Sequence, residues 1–130
     1  MKNNHLLNGL MIISMTILMA SCSSSTSPTV VVEQYIESMV AKDDIATVNL
    51  SCSSWEANAK ADGASFEGVE VSLEDMACSV VSEDSDNAVV SCTGQFVFQY
   101  AGGENEEIGL DSRNYSMVKQ AGEWKMCGYE

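Results

Sequence analysis

The sequence predicts an α+β domain in which two N-terminal helices pack on a curved antiparallel sheet. Three observations indicate this fold class. Apolar residues recur every three or four positions between residue 28 and about residue 61, which is the period of a buried helix face. From Phe66 onward they recur at every second position, which is the period of a strand. Polar or glycine-containing segments divide this second half into successive strands, as in an antiparallel meander.

The N-terminal segment, residues 1–21, has the composition of an export signal rather than of a folded element. A short basic head precedes an apolar run at residues 6–20, which ends on small residues. The run is shorter than the roughly 20 apolar residues of a bilayer-spanning helix. Residues 19–22 (MASC) resemble the bacterial lipobox, with Met19 where leucine is usual. We therefore expect cleavage before Cys22 and lipidation of that cysteine; plain secretion and an uncleaved anchor are the alternatives.

Lipidation at Cys22 would divide the chain into a signal peptide at residues 1–21, a lipidated cysteine with a polar tether at residues 22–27, and a single α+β domain at residues 28–130. Ser23 follows the cysteine, which in enteric-type bacteria is typical of lipoproteins that pass to the outer membrane. Two or three acyl chains would make the attachment durable. The expected location is therefore the bacterial cell envelope, with the outer membrane, facing the periplasm, favoured over the inner membrane.

The composition excludes several classes of function. The chain has 19 acidic against 6 basic residues and a formal charge of −13, which repels nucleic acid and anionic lipid head groups. The single histidine, His5, lies in the predicted signal peptide. Its loss excludes Ser-His-Asp or Cys-His catalysis and histidine-ligated zinc in the mature protein. We expect no cofactor and no nucleic-acid partner.

The first predicted helix has a clear beginning. Ser27 and Pro28 have the pattern of an N-cap followed by proline at the first helical position, where the missing N–H costs nothing. Apolar residues then recur at helical spacing up to Lys42, while Glu33 and Glu37 fall on the opposite side. The sequence therefore predicts an amphipathic helix of about 15 residues that buries one face.

The second predicted helix follows directly. Asp43 and Asp44 stop the first helix and cap the second, which bends at residues 51–54 and stops at Gly63. Its buried stripe is predicted to consist of Ile45, Val48, Cys52 and Trp55.

The predicted strands begin with a long hairpin. An acidic loop at residues 82–87 separates two runs of alternating apolar residues, which is the signature of a β-hairpin. A third long strand is expected at residues 108–118, and residues 123–129 close the sheet.

Disulfides are expected in the domain, because four cysteines remain after Cys22 and their spacing contains no CxxC motif for zinc or redox chemistry. If Ser82 pairs with Ala88 in the hairpin, Cys78 lies opposite Cys92, which favours a bond between them. Cys52 would then pair with Cys127 on the last strand. The pairings 52–78 with 92–127 and 52–92 with 78–127 remain open.

Four short motifs accompany this order of elements: Pro28 with residues 31–35 (VVEQY), residues 42–44 (KDD), residues 87–90 (NAVV) and residues 122–125 (GEWK). Together they resemble the nuclear transport factor 2-like superfamily, specifically its small bacterial lipoproteins of unknown function. The resemblance implies a cone in which helices cover a curved sheet and leave an apolar pocket. Some members of that superfamily are enzymes, such as ketosteroid isomerase, and many are binding or assembly domains.

Aromatic residues are the candidate lining of such a pocket, although a domain this small also needs them in its core. The candidates are Tyr35, Trp55, Phe96, Phe98, Tyr115 and Trp124. Asp111, Arg113 and Tyr115 would share one strand face, but Arg113 would weaken Asp111 as a base. The acidic segments 83–86 and 104–107 lack EF-hand spacing, so no metal site is expected.

These observations favour a lipid-anchored, non-catalytic binding or interaction module, whose partner is an apolar small ligand or a protein. A small pocket enzyme of the ketosteroid-isomerase-like type is one alternative. A structural domain that dimerises through its open sheet face is another. The sequence does not identify the ligand or the oligomeric state.

Overall fold

The computed structural model describes residues 25–130, so the predicted signal peptide and Cys22 lie outside the described residues. Three helices come first: α1 (Pro28–Val40), α2 (Asp44–Asn49) and α3 (Glu56–Ala64). Five strands follow: β1 (Glu70–Glu83), β2 (Asn87–Gln99), β3 (Glu106–Gly109), β4 (Asn114–Gln120) and β5 (Glu123–Tyr129). All the strand pairings are antiparallel, and the predicted α+β class, with helices packed on an antiparallel sheet, is confirmed. No helix within these residues is long and apolar enough to cross a membrane.

The sheet has the strand order β1-β2-β4-β5, and β3 lies beyond β4 along the same edge of β2. A short 3-10 helix, Leu110–Ser112, separates β3 from β4. The prediction of one continuous strand at residues 108–118 is therefore wrong. The physical reason is Leu110, which is only 2% exposed: the chain leaves the strand conformation there and turns this side chain into the core.

Helix α1 begins as predicted. The Ser27 hydroxyl accepts a hydrogen bond from the Val30 amide at 3.4 Å, and Pro28 occupies the first helical position. Its buried face packs against β1, β2 and β5 and consists of Val31, Val32, Tyr35, Ile36 and Met39.

The predicted second helix is two helices, with the break at the expected bend. Helix α2 is capped by Asp43 and ends at Asn49, so its buried face differs from the predicted stripe: Ile45 is 76% exposed, whereas Thr47 is fully buried. In the linker that follows, the Cys52 amide donates to Met126 O at 2.8 Å, and the Met126 amide donates to Leu50 O at 2.8 Å. This linker therefore covers the free edge of β5.

Gly63 does not stop the helix, because α3 continues to Ala64. Instead Gly63 permits close packing: a Cβ atom at this position would lie 2.5 Å from Asp44 Oδ1. The glycine therefore brings α3 against the start of α2.

Two disulfides connect Cys78 with Cys92 and Cys52 with Cys127, which is the pairing that the sequence favoured. Cys78 lies opposite Cys92 in the β1–β2 hairpin, as predicted. The predicted pair of Ser82 with Ala88 is wrong by one residue, because an irregularity between Val80 and Ser82 makes Ser82 pair with Val89. Disulfides in a domain of this size indicate a protein outside the reducing cytoplasm.

The outer edge of β1 has no strand partner among residues 25–130, yet α1 covers part of it. The Glu33 carboxylate accepts a hydrogen bond from the Cys78 amide at 3.3 Å, and Lys42 Nζ donates to Val69 O at 2.8 Å. Asp75, with φ of 51°, lies in a second irregularity of this strand. Bent and covered edges of this kind oppose edge-to-edge association.

Candidate ligand-binding cavity

A cavity of about 140 Å³ lies between the helices and the sheet. Residues from α1, α3, β2, β3, β4 and β5 line it, and it opens to solvent beside Ile108 and Arg113, which are exposed. For scale, an engineered protein cavity of about 150 Å³ with apolar walls binds benzene. The cavity is therefore large enough for a molecule built on a single ring.

Three phenylalanines form one wall of the cavity. Phe96 and Phe98 project to the same side of β2 because they are two residues apart, and Phe66, which follows α3, packs against both rings. The Phe66 ring centroid lies 5.1 Å from that of Phe96 and 5.5 Å from that of Phe98. Ile36, Met39 and Ile108 extend the apolar lining.

The other end of the cavity is polar and centres on Asp62 of α3. Two phenols donate hydrogen bonds to the same carboxylate oxygen, Oδ2: Tyr35 at 2.8 Å and Tyr129 at 2.5 Å. The second carboxylate oxygen, Oδ1, accepts no hydrogen bond within residues 25–130. The two tyrosines therefore orient the carboxylate and leave one of its oxygens open.

Burial raises the pKa of both tyrosines above the ordinary phenol value, and the hydrogen bond to Asp62 raises it further. The Trp55 indole lowers the pKa of Tyr35, and the charge of Arg113 lowers that of Tyr129, but neither reverses the shift. Trp55 Nε1 is itself buried and meets no acceptor in hydrogen-bond geometry among the described residues. Both phenols remain protonated donors at neutral pH.

Tyr115 and Arg113 complete the polar end. The Tyr115 side chain is buried and lines the cavity, and its hydroxyl makes no hydrogen bond within the part of the chain that the structure describes. Burial raises the pKa of Tyr115, although Arg113 opposes the shift. The Arg113 guanidinium lies 4.3 Å from the centroid of the Tyr129 ring. The site thus presents one free carboxylate oxygen and one free hydroxyl to a ligand.

The candidate aromatic residues fall into two groups. Phe96, Phe98 and Tyr115 line the cavity. Tyr35 is fully buried and contributes its hydroxyl to Asp62, whereas Trp55 packs edge-on against Tyr129 at 5.5 Å.

Two residues singled out in the sequence lie away from the cavity. Trp124 lines a separate external groove with Val31 and Leu50. Asp111 is exposed in the 3-10 helix, so the predicted strand face shared by Asp111, Arg113 and Tyr115 does not exist.

The sequence reasoning missed Asp62, the central residue of the site. A signal was present: Trp55, Ala59 and Asp62 are four and three residues apart, so an acid continues the apolar stripe of the second predicted helix. Its two partners are 27 and 67 residues away along the chain, which periodicity cannot relate to it.

No family model and no curated protein matches the chain. Several solved structures resemble it, and two of them are the following. A SEC-C motif-containing protein from Rhodopseudomonas palustris has a TM-score of 0.55 at 16% identity, over 80% of this chain and 77% of that one. A candidate ketosteroid isomerase from Shewanella frigidimarina has a TM-score of 0.52 at 15% identity, over 80% of this chain and 94% of that one. At such identities the likeness shows the fold alone, which is an arrangement of helices packed on an antiparallel sheet.

Proposed function

We propose that this protein is a lipid-anchored binding module of the bacterial envelope, which holds a small, largely apolar ligand in the cavity of the cone without transforming it. The observation that carries the proposal is the open Asp62 Oδ1 atom at the end of an apolar cavity. Apolar walls with a few convergent polar groups are the usual composition of a small-molecule site.

Size favours binding over catalysis on a large substrate. The cavity of about 140 Å³ is below the roughly 300 Å³ at which pockets for drug-sized ligands begin. A polycyclic substrate therefore does not fit without rearrangement of the phenylalanine wall. A molecule with one ring and a short polar arm fits as the chain stands.

One observation favours a second candidate function, a small proton-transfer enzyme. Asp62 and Tyr115 line the same cavity, and within residues 25–130 neither Asp62 Oδ1 nor the Tyr115 hydroxyl makes a hydrogen bond. A carboxylate that takes a proton and a phenol that stabilises the resulting oxyanion are the parts of an isomerase-like site. Asp62, rather than Asp111, would be the base.

Binding can be tested on the full-length protein purified in detergent, with empty micelles as the reference for free probe. Titration with benzyl alcohol, followed by NMR of the methionine methyl groups, should move the Met39 signal in a saturable way. Ile108→Trp should abolish the effect, because Ile108 lines the cavity and is exposed enough to accept a larger side chain. Ile45→Trp, on an exposed face of α2, is the matched control and should bind normally. A wild-type Met39 signal that benzyl alcohol, benzylammonium and benzoate all leave unmoved would overturn the binding function.

The proposed lipid anchor is supported by the lipobox-like residues 19–22 and by the polar tether that follows them. Cys22→Ser should release the protein into the soluble fraction, whereas Ser25→Ala in the tether should leave it in the membrane pellet. Retention of the Cys22→Ser variant after a salt wash would contradict the lipid anchor.

A further inference from the structure

We propose that the ligand of the cavity is a small primary ammonium compound, with one ring or a similar apolar body against the phenylalanine wall and its cationic head on Asp62 Oδ1. This inference rests on the proposed binding function and names the chemical class of its ligand.

The charge of Asp62 is the first argument. Its side chain is partly buried, and both of its hydrogen bonds come from neutral phenols. Within residues 25–130 the one ion pair joins Lys125 to Glu123 at 3.5 Å, so no lysine or arginine lies within 4.0 Å of Asp62. Buried charges are normally paired with an opposite charge, and a ligand that fills the cavity would bury the Asp62 carboxylate further. A cationic ligand would supply the missing partner.

Arg113 is not the cationic partner of Asp62, although it lines the same cavity. Its guanidinium lies over the Tyr129 ring, 4.3 Å from the centroid, and its side chain is exposed. It therefore sits at the rim, where water screens its charge. A carboxylate ligand held by Arg113 would have to bring its own negative charge towards Asp62, which disfavours anions in this cavity.

The donors of an ammonium group match the acceptors of the site. A primary ammonium carries three N–H donors. Asp62 Oδ1 can accept one of them in a charge-assisted hydrogen bond, and the Tyr115 hydroxyl can accept a second. The third can donate to water, because the cavity opens to solvent beside the exposed Ile108. An alcohol of the same shape has a single donor and leaves one of these acceptors unused.

The phenylalanine wall and the net charge of the chain also favour an aromatic ammonium ligand. The wall formed by Phe66, Phe96 and Phe98 offers ring faces and edges to an aromatic body. The formal charge of −13 raises the local concentration of cations around the protein. Size limits the body to one ring with a short arm, as argued above.

The test compares three probes that share one body: benzylammonium, benzyl alcohol and benzoate. On the full-length protein in detergent, with methionine methyl NMR as the readout, benzylammonium should bind at least tenfold more tightly than benzyl alcohol, and benzoate most weakly. Asp62→Asn should bring the ammonium and alcohol affinities within about twofold of each other, since the amide keeps the shape and removes the charge. Asp111→Asn, an exposed acid outside the cavity, should keep the wild-type order.

The affinities of the wild-type protein for the three probes test the ligand class even if Asp62→Asn fails to fold. Equal affinity for ammonium and alcohol, or a preference for benzoate, would overturn the ligand class and leave the binding function intact. Absence of binding by all three probes would overturn both proposals. As a second variant, Tyr115→Phe should lower the preference for ammonium by about threefold while benzyl alcohol binding changes less.

Discussion

Two polar clusters lie beneath α1, and they differ in whether their hydrogen bonds are complete. In the first, the Ser38 and Thr47 hydroxyls lie 2.8 Å apart; Ser38 also contacts Tyr35 O at 2.7 Å, and Thr47 contacts Asp43 O at 2.9 Å. Every hydroxyl proton of this closed cluster has an acceptor. In the second, the open cluster of Asp62, Tyr35, Tyr129 and Tyr115, a carboxylate oxygen and a hydroxyl have no partner among the described residues.

The difference distinguishes polar groups that stabilise the fold from polar groups that remain available to a ligand. A buried polar group without a hydrogen bond costs free energy, so a core normally completes its polar networks. The closed cluster does so and ties α1 to α2. The open cluster lies on a cavity that a ligand can enter, and the ligand can complete it. This comparison predicts that changes in the closed cluster affect stability and not binding, whereas removal of the unpartnered groups of the open cluster, the Asp62 charge and the Tyr115 hydroxyl, affects binding more than stability.

The largest change in stability is expected from loss of the Cys52–Cys127 disulfide. This disulfide joins the α2–α3 linker to β5, the strand that carries Tyr129. Replacing Cys52 and Cys127 together by serine opens a loop with a sequence separation of 75 residues. The chain-entropy model gives a loss of about 4 kcal/mol in the free energy of unfolding, against about 3 kcal/mol for the pair Cys78 and Cys92. Urea unfolding of both double variants would measure this, and a larger loss for the hairpin bond would contradict the expected order.

Breaking the closed cluster should lower the free energy of unfolding by less than the loss of either disulfide. Thr47→Val keeps the volume of a fully buried side chain and removes its hydroxyl, which loses the hydrogen bonds to Asp43 O and to Ser38 Oγ. The free energy of unfolding should fall by about 2 kcal/mol. Affinity for benzylammonium should stay within twofold of the wild type. A large loss of affinity would mean that the two clusters are coupled, contrary to the comparison.

Alkaline pH should act on the open cluster through its phenols. Burial raises the pKa of Tyr35, Tyr115 and Tyr129, so the folded protein keeps their protons at a pH where the unfolded chain has lost them. Stability from this source is therefore fully present below about pH 10 and falls as the pH rises further, by roughly 1.4 kcal/mol per pH unit for each tyrosine. Unfolding curves from about pH 8 to about pH 11 would reveal the slope. Tyr35→Phe should reduce it, and an unchanged slope would contradict the assignment.

Tyr115→Phe should have the smallest effect on stability. Its hydroxyl makes no hydrogen bond within residues 25–130, so its removal should change the free energy of unfolding by less than about 0.5 kcal/mol. Thermal unfolding would check this, with Tyr35→Phe as the comparison, since that variant loses a bond to Asp62 worth about 1 kcal/mol. Equal losses in the two variants would show that Tyr115 is also a structural donor.

The two clusters also show which features of the structure can be predicted from the sequence. Local rules predicted the caps at Ser27 and Asp43, and strand periodicity placed Cys78 opposite Cys92. These features depend on neighbours along the chain or on one hairpin. The apolar period failed at Ile45, because a six-residue helix is oriented by the buried Thr47 and not by its own apolar side chains.

The open cluster needed tertiary contacts that no local pattern contains. Asp62 meets Tyr129 only because β5 returns beneath α3, and Tyr115 joins them because the chain breaks at Leu110 and restarts as β4. The predicted site around Asp111 assumed that this break was absent. Three of the proposed aromatic residues nevertheless line the cavity, since alternation along β2 and β4 places them on the inner side of the sheet.

Ligand-dependent thermal unfolding of three full-length proteins tests the comparison most directly: the wild type, Asp62→Asn and Thr47→Val, each with and without saturating benzylammonium. A ligand that binds only the folded state raises the melting temperature in proportion to its affinity. The account predicts that Thr47→Val melts at a lower temperature and keeps the ligand-induced increase, whereas Asp62→Asn melts near the wild type and loses most of it. An undiminished increase in Asp62→Asn would contradict the assignment of the open cluster as the ligand site.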